Sequence, residues 1–183
     1  AIPPAAPVIL RVADAARRAT WVRGWGGGAM EVRRFADATA LEGRAAPFLL
    51  AREAEHCLLL GLLAGLRQGR PGAYLAAVED GGAVVAVALR TSERHNLVLS
   101  QVAAPGALDA LADDLHRDGV ALPGVHGPVP ASDDFAARWQ RRGGQPARRF
   151  MAQRLYRLTR VRPVGGVPGA LRPITPADRA LIA

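Results

Sequence analysis

The sequence predicts an α/β domain in which a mixed, mainly antiparallel sheet is flanked by helices. Short runs rich in β-branched and small apolar residues, such as residues 83–90 and 96–101, have the composition of buried strands. Leucines recur at three- and four-residue spacings in residues 58–66 and again in residues 108–115, as on the apolar face of a helix. Because the two kinds of run alternate along the chain, we expect helices and strands to pack in layers around a shared core.

Length and cysteine usage favour a cytoplasmic protein. A chain of 183 residues can bury a core without disulfides or metal ions. The single cysteine, Cys57, excludes an intramolecular disulfide and is expected to be a buried, reduced thiol. The longest apolar run, residues 57–66, is too short to span a bilayer, and no signal-peptide pattern opens the sequence. We therefore expect no membrane association.

The net charge is only a weak indication of the kind of ligand. A formal charge of +8 favours anionic ligands, such as a nucleotide diphosphate, by raising their local concentration. Every basic residue is arginine, however, and Ala, Gly and Pro are abundant, so compositional bias accounts for the charge as well as function does.

Composition divides the chain into four segments. Residues 1–29 sustain no apolar period and end with three glycines just before Met30, so we expect an appendage that contributes nothing to the core. Residues 30–161 carry the alternating helix and strand patterns and form the domain. Residues 162–170, rich in Pro and Gly, are expected to be a linker, and residues 171–183 to begin a second, truncated domain.

The last segment has the signal for a helix start. Thr175 can cap a helix with Pro176 in its first position and Asp178 in its third, which is close to a capping box. No glycine, asparagine or charged last turn follows, so the predicted helix has a beginning without an end.

A strand and two helices are predicted before the first glycine-rich turn. Residues 32–35 form a short strand, and Asp37 caps a helix that runs toward Pro47. A second helix covers residues 48–67 and is stopped by Gly69. Within it, the Gly61-x-x-x-Gly65 spacing predicts a close approach of this helix to the sheet.

Three antiparallel strands follow. Residues 74–79 and 83–90 flank Asp80-Gly81-Gly82, which allows the positive φ angles of a tight hairpin turn. Residues 96–101 form the third strand of this group. Pro105 and Gly106 then open the helix that carries the second leucine stripe.

The rest of the domain is predicted as strand, helix and strand. Residues 125–127 form a short strand, and Ser132 caps a helix in which Phe135 and Trp139 pair. That helix ends at Gly143-Gly144, so the nearby Gln140-Arg-Arg-Gly143-Gly-Gln145 is a helix end and not a ligand loop. Residues 147–161 are expected to form one long strand.

The loop between the third strand and the following helix is the candidate anion site. Backbone N–H groups and a helix N-terminus can together hold a phosphate. The residues that would do so are Gln101, Val102, Ala103, Ala104 and Gly106.

The element order over residues 30–161 resembles the GNAT superfamily of acetyl-CoA-dependent N-acyltransferases. That resemblance implies the GNAT (acyl-CoA N-acyltransferase) fold, and a loop of pattern Arg/Gln-x-x-Gly-x-Gly/Ala whose amides hold the cofactor pyrophosphate. Here Ala104 replaces the first glycine, and Pro105 removes an N–H group. Losing one such contact costs roughly ten- to a hundredfold in affinity, so the loop is expected to be degenerate.

The residues that usually perform GNAT catalysis are also missing. Residues 96–101 contain no carboxylate to act as general base, and the helix around Trp139 contains no Tyr to act as general acid. These absences, with the local sequences REAEHCLLLGLL, HNLVLS, LPGVHGP, FAARW and QRLYRL, are similar to the first half of bacterial acetyltransferases with two tandem GNAT-like halves. The catalytic residues are therefore unassigned, and this half alone is expected to be inactive.

The resemblance implies an N-acetyltransferase that moves the acetyl group of acetyl-CoA to a small-molecule or protein amine, and it leaves a homodimer open. One alternative is a non-catalytic GNAT-fold binding or scaffold domain. A weaker alternative is nucleic-acid binding through residues 148–162, where six arginines are interleaved with Phe150 and Tyr156. It is weaker because no recognition-helix, RNP or zinc signature accompanies them.

Two other patterns carry little functional weight. Glu53-x-x-His56 has the spacing of a di-metal ligand pair, but a second pair is missing, so no metal site is expected. Ser100, Asp109 and either His95 or His126 could form a hydrolytic triad, yet no Gly-x-Ser-x-Gly elbow is present.

Overall fold

The computed structural model describes residues 30–67, 74–143, 145–162, 165–166 and 168–182. The predicted appendage, residues 1–29, and the predicted stop at Gly69 lie outside these residues. The elements in chain order are β1 (Glu31–Arg34), α1 (Ala38–Leu50), α2 (Cys57–Leu66), β2 (Tyr74–Asp80), β3 (Ala83–Arg90), β4 (Leu97–Leu99), α3 (Gly106–Arg117), β5 (Val125–His126), α4 (Val129–Gly143), a 3₁₀ turn (Pro176–Asp178) and α5 (Arg179–Ile182).

The sheet has five strands in the order β1-β2-β3-β4-β5. The first four pair antiparallel, and β5 joins β4 in parallel, with Leu97 opposite Val125 and Val98 opposite His126. Helices cover both faces of the sheet. The α/β class with a mixed, mainly antiparallel sheet flanked by helices is therefore confirmed.

Two apolar clusters, one on each face, hold the helices to the sheet. On one face Leu108, Leu111 and Phe135 from α3 and α4 pack against Ala76 and neighbouring strand residues. On the other, α1 and α2 contribute Leu41, Leu49, Leu59 and Leu63, which pack against Leu75, Val87 and Val98. Because both faces are covered, β2 and β3 have continuous apolar runs in place of strict alternation.

The predicted hairpin is confirmed, with β3 at the predicted bounds. Gly81 and Gly82, with φ angles of 55° and 81°, form the turn between β2 and β3. Positive φ at both central residues is the conformation whose twist matches a two-residue hairpin, and it favours glycine.

The predicted helix over residues 48–67 is wrong, because the chain breaks there into two helices. Helix α1 continues past Pro47 to Leu50, residues 51–56 form a turn, and α2 begins at Cys57. The break lets α1 and α2 pack against the same face of the sheet. Asp37 does cap α1, since its side chain accepts from the Ala40 N–H at 2.8 Å.

Two smaller expectations about α2 are also wrong. Cys57 is exposed, because the buried positions of this helix are Leu59, Leu63 and Leu66. A Cβ atom added at Gly61 or Gly65 would meet nothing within 4 Å, so these glycines make no close approach to the sheet.

Ser132 does not cap α4, which begins three residues earlier, at Val129. Its N–H instead donates to the Pro128 carbonyl at 2.8 Å, as inside a helix. Pro130 lies in the first turn, where a missing N–H costs nothing, so the sequence Pro128 to Pro130 starts the helix.

Residues 147–161 do not form the predicted strand. Apart from an isolated bridge at Gln153 they are irregular, and every one of them is exposed. The apolar residues Leu155, Leu158 and Val161 recur at every third position. Because a strand alternates its faces every second residue, this spacing gives no single apolar face to bury against the domain.

The predicted helix start at Thr175 is confirmed. The Thr175 N–H donates to the Asp178 carboxylate at 2.7 Å, and a 3₁₀ turn from Pro176 leads into α5. Arg172 also donates to Asp178 and, as the largest of several causes, lowers the pKa of that carboxyl. The assignment of this segment to a second domain stays a prediction.

The close approach of the chain after β5 to β4 is testable with glycine substitutions. A Cβ at Gly127 would lie 2.9 Å from the Leu99 carbonyl oxygen, so Gly127→Ala should lower the free energy of unfolding by roughly 1–3 kcal/mol. Gly43→Ala in α1, where a Cβ meets nothing within 4 Å, should raise it by roughly 0.5–1 kcal/mol. Urea unfolding measures both, and equal effects would contradict the described packing.

Candidate functional site

The candidate loop, residues 101–106, connects the end of β4 with the start of α3, as predicted. Ala103 and Pro105 are exposed, and the other loop residues are half-buried. The loop could therefore meet a ligand from solvent, and its capacity to hold an anion depends on which N–H groups are free.

Half of the loop's amide positions cannot donate to a ligand. The Gln101 N–H donates to His56 Nε2 at 3.1 Å, and the Ala103 N–H donates to the Val85 carbonyl at 2.8 Å. Pro105 has no N–H. Among the described residues, the amides of Val102, Ala104 and Gly106 have no acceptor. The loop thus lacks the continuous row of donors that a pyrophosphate cradle needs.

The side chain of His56 is hydrogen-bonded to the first residue of the loop. This side chain is 1% exposed and lies between two backbone groups, with Nδ1 2.9 Å from the Leu49 carbonyl oxygen. Because a carbonyl can only accept, Nδ1 carries the proton, and the unprotonated Nε2 accepts from the Gln101 N–H. Burial lowers the pKa of this imidazole, so it is neutral at pH 7. The ring also stacks on Phe48 with centroids 5.7 Å apart.

Glu55, the preceding residue, holds the side chain of the same glutamine. The Gln101 side-chain amide donates to Glu55 Oε2 at 2.8 Å, and Arg52 donates to that oxygen at 3.3 Å. The turn between α1 and α2 therefore holds both the backbone and the side chain of Gln101, which fixes the first residue of the loop.

The far end of the loop faces protein as well. A Cβ added at Gly106 would meet the Met30 side chain at 3.5 Å, an ordinary van der Waals distance. Met30, immediately before β1, thus covers the start of α3. The small residue at this position opens no space for a ligand on that side.

A cleft of about 270 Å³ lies beside the parallel strands β4 and β5. Its walls are largely apolar, and three chemically reactive side chains, Glu55, Cys57 and His126, line it. His126 makes no hydrogen bond with any described residue, and burial lowers its pKa. This imidazole can accept a proton, as can the Glu55 carboxylate that lines the same cleft.

Two aromatic side chains, those of Trp139 and Tyr74, are engaged by neighbouring residues. Trp139 on α4 stacks on Phe135 with centroids 6.0 Å apart and meets His116 edge-on at 6.2 Å. The buried Tyr74 hydroxyl on β2 donates to Asp114 at 2.7 Å, and burial followed by that contact raises its pKa. Both aromatic residues therefore have packing roles.

Three side chains of the hydrolytic triad considered above, those of Ser100, Asp109 and His95, have other partners. Ser100 Oγ accepts from the Val87 N–H at 2.8 Å and donates to the Gln101 carbonyl at 2.6 Å, so it is fully used. Asp109 pairs with Arg138 and Arg142, and His95 Nδ1 lies 2.6 Å from the Thr91 hydroxyl. Within the described ranges, no group of three or more His, Cys, Asp or Glu side chains could hold a metal ion.

Sequence reasoning placed the loop correctly but missed the residues that hold it. His56 was considered only with Glu53, as a possible metal-ligand pair, and Glu55 was given no role beyond the predicted helix. A signal was present, since two adjacent polar residues interrupt the boundary between two leucine-rich segments. Their partner, Gln101, is more than forty positions away, so the pairing becomes visible only in the fold.

Comparison with models of protein families, with curated proteins and with solved structures gives no significant match to this chain. No helix in the described part of the chain has both the length and the apolar character needed to cross a bilayer.

The contact between His56 and Gln101 predicts a pH-dependent stability. Because the folded pKa of His56 is lowered, the unfolded chain binds its proton first as pH falls. The stabilisation by His56 is complete above the ordinary pKa of about 6.5 and is lost as pH falls from there toward the folded value. The free energy of unfolding should therefore decrease between about pH 7 and pH 5, by at most about 1.4 kcal/mol per pH unit per group.

Variants separate the two histidines with lowered pKa values. His56→Gln should make the pH dependence shallower, and so should His126→Gln, because burial lowers the pKa of both imidazoles. Urea unfolding at several pH values provides the measurement. An unchanged slope in His56→Gln would show that the buried imidazole does not control stability in this range.

Proposed function

We propose that this chain is the first half of a two-half, acetyl-CoA-dependent N-acetyltransferase of the GNAT type, and that it serves as a scaffold half with a degenerate cofactor loop. The observation that supports this best is the parallel pairing of β4 with β5 at the end of an otherwise antiparallel sheet. The loop of residues 101–106 leaves β4 at this point and opens α3. That order of elements, from β1 to α4, is the one implied by the family resemblance, whose final strand over residues 147–161 is not formed.

The loop chemistry argues for a scaffold role. The residues present do not fit a pyrophosphate well, because the Gln101 and Ala103 amides are bound within the protein and Pro105 has none. His56 and Glu55 stabilise the loop without a ligand. In this proposal the contacts that a cofactor would make in an active half are replaced by contacts within the chain.

Acyl transfer to an amine needs positioning of both reactants, a proton acceptor and a donor for the developing oxyanion. In the described residues, His126 is a neutral imidazole at the edge of the cleft beside β4 and β5. A carboxylate on β4 and a tyrosine on α4 are both missing. A proton acceptor without that carboxylate and that tyrosine is consistent with a half that does not catalyse the reaction alone.

The second candidate is a non-catalytic binding domain of the same fold. It is favoured by the internal bonds of the loop, which leave the domain stable without cofactor. Acetyl-CoA should bind neither this chain nor a longer form that includes a second domain if this candidate is right. The acetyltransferase proposal expects binding and activity in the longer form.

Titration calorimetry with coenzyme A tests the degenerate loop. The unmodified chain should bind in the high micromolar range or more weakly. Pro105→Ala restores a donor at the start of α3 and should tighten binding by roughly ten- to a hundredfold, the value of one charge-assisted hydrogen bond.

Ala103→Gly is the matched control, because the Ala103 amide already donates to Val85 and gains no ligand contact. Its affinity should equal that of the unmodified chain. Low-micromolar binding by the unmodified chain would contradict the degenerate-loop argument, as would equal gains in both variants.

A further inference from the structure

Residues 148–162 form an exposed segment that is both strongly basic and apolar. The segment contains six arginines and no acidic residue. Several of its apolar side chains face solvent, with Tyr156 79% exposed, Leu158 76% and Val161 74%. Exposed apolar groups at this density mark an interaction surface more often than a bare one.

The backbone of this segment is also largely unpaired. It runs irregularly, and apart from the bridge at Gln153 its N–H and C=O groups make no backbone hydrogen bonds with described residues. Such a row of free donors and acceptors can pair with an added strand.

The segment is attached to the domain at few points. Arg149 pairs with Asp133 at 2.6 Å, while the other five arginines of the segment form no ion pair with any described residue. Residues 153–158 border two hollows, the cleft beside β4 and β5 and a second one of about 560 Å³ against the α1–α2 turn. The segment therefore packs loosely on the domain, with the two hollows between them.

We propose that residues 148–162 bind an extended, acidic strand of another polypeptide by β-strand addition. The unpaired backbone supplies main-chain hydrogen bonds. In an extended conformation Leu155 and Val161 lie on one face of the segment and Tyr156 and Leu158 on the other, so each face offers apolar contacts. Carboxylates opposite the exposed arginines give the partner its charge. This inference does not depend on the acetyltransferase proposal.

Two other occupants fit the segment less well. Antiparallel pairing with a second copy would bring arginines next to arginines, which is destabilising. A single-stranded nucleic acid would use the arginines and the aromatic rings of Phe150 and Tyr156, but it would leave the aliphatic side chains and the backbone groups without partners. An acidic polypeptide strand can pair with the arginines, the aliphatic side chains and the backbone groups.

Synthetic peptides can test this surface on the whole chain. The probe is a peptide of about twelve residues that alternates valine and glutamate, which as a strand spans about 40 Å. One control peptide alternates valine and lysine, and a second has the probe's composition with its valines and glutamates in separate blocks. Fluorescence anisotropy measures affinity, and amide hydrogen exchange measures protection of residues 148–162.

The valine-glutamate probe should bind at least about tenfold more tightly than either control peptide and should slow amide exchange in residues 148–162. The double reversal Arg157→Glu with Arg160→Glu should weaken binding about tenfold or more. The matched reversal Arg94→Glu with Arg141→Glu changes the net charge equally, at exposed arginines outside the segment, and should leave binding nearly unchanged. Because all four positions are exposed, the variants should fold normally.

Leu158→Pro gives an independent test, since it removes one N–H from the segment without touching the core. It should weaken probe binding while leaving the urea unfolding curve unchanged. Three results would overturn the proposal: tighter binding of an oligothymidylate than of the probe, self-association that protects the same amides, or unchanged exchange at saturating peptide concentration.

Discussion

The imidazole of His56 joins the two parts of the molecule on which the candidate site depends. It donates from Nδ1 to the Leu49 carbonyl at the end of α1 and accepts at Nε2 from the Gln101 N–H after β4. The bond to Leu49 is buried and the bond to Gln101 is partly buried, and an unsatisfied buried backbone group costs roughly 1–3 kcal/mol. The neutral ring with a proton on Nδ1 is the only form that satisfies both neighbours at once.

This contact also lies at the break between the two helices, which falls at residues 51–56 and not at the predicted Pro47. A continuous helix over residues 48–67 would engage the Leu49 carbonyl four residues on, whereas here it accepts from Arg52 and from His56. The turn that results brings α2 alongside α1 on one face of the sheet and places Glu55 against the Gln101 side chain. The packing of that face and the position of the loop thus have a common cause.

Local patterns were sufficient to predict much of the fold. The glycines at 81 and 82, the cap at Asp37 and the leucine stripe of α3 each act through neighbours in sequence, and each was predicted correctly. The failures have longer-range causes. Residues 147–161 have the composition of a strand, but apart from the bridge at Gln153 they pair with no strand of the described sheet, whose edge strands are β1 and β5.

The candidate site was likewise predicted in part. Its position between β4 and α3 followed from the sequence, and so did the missing donor at Pro105. The sequence did not predict that the Gln101 N–H is unavailable to a ligand, because its acceptor is a histidine 45 residues earlier in the chain. The exposure of Cys57 was missed because its place in a leucine-rich run was taken to mean burial, whereas the buried positions of α2 are Leu59, Leu63 and Leu66.

The central claim is that His56 occupies the first amide of the loop, and nitrogen NMR of its imidazole tests this most directly. The account predicts a protonated Nδ1 and an unprotonated Nε2 at pH 7, a Gln101 amide protected from exchange, and protonation of the ring only below its ordinary pKa. A ring protonated on Nε2, or a freely exchanging Gln101 amide with a histidine that titrates at the ordinary value, would contradict it.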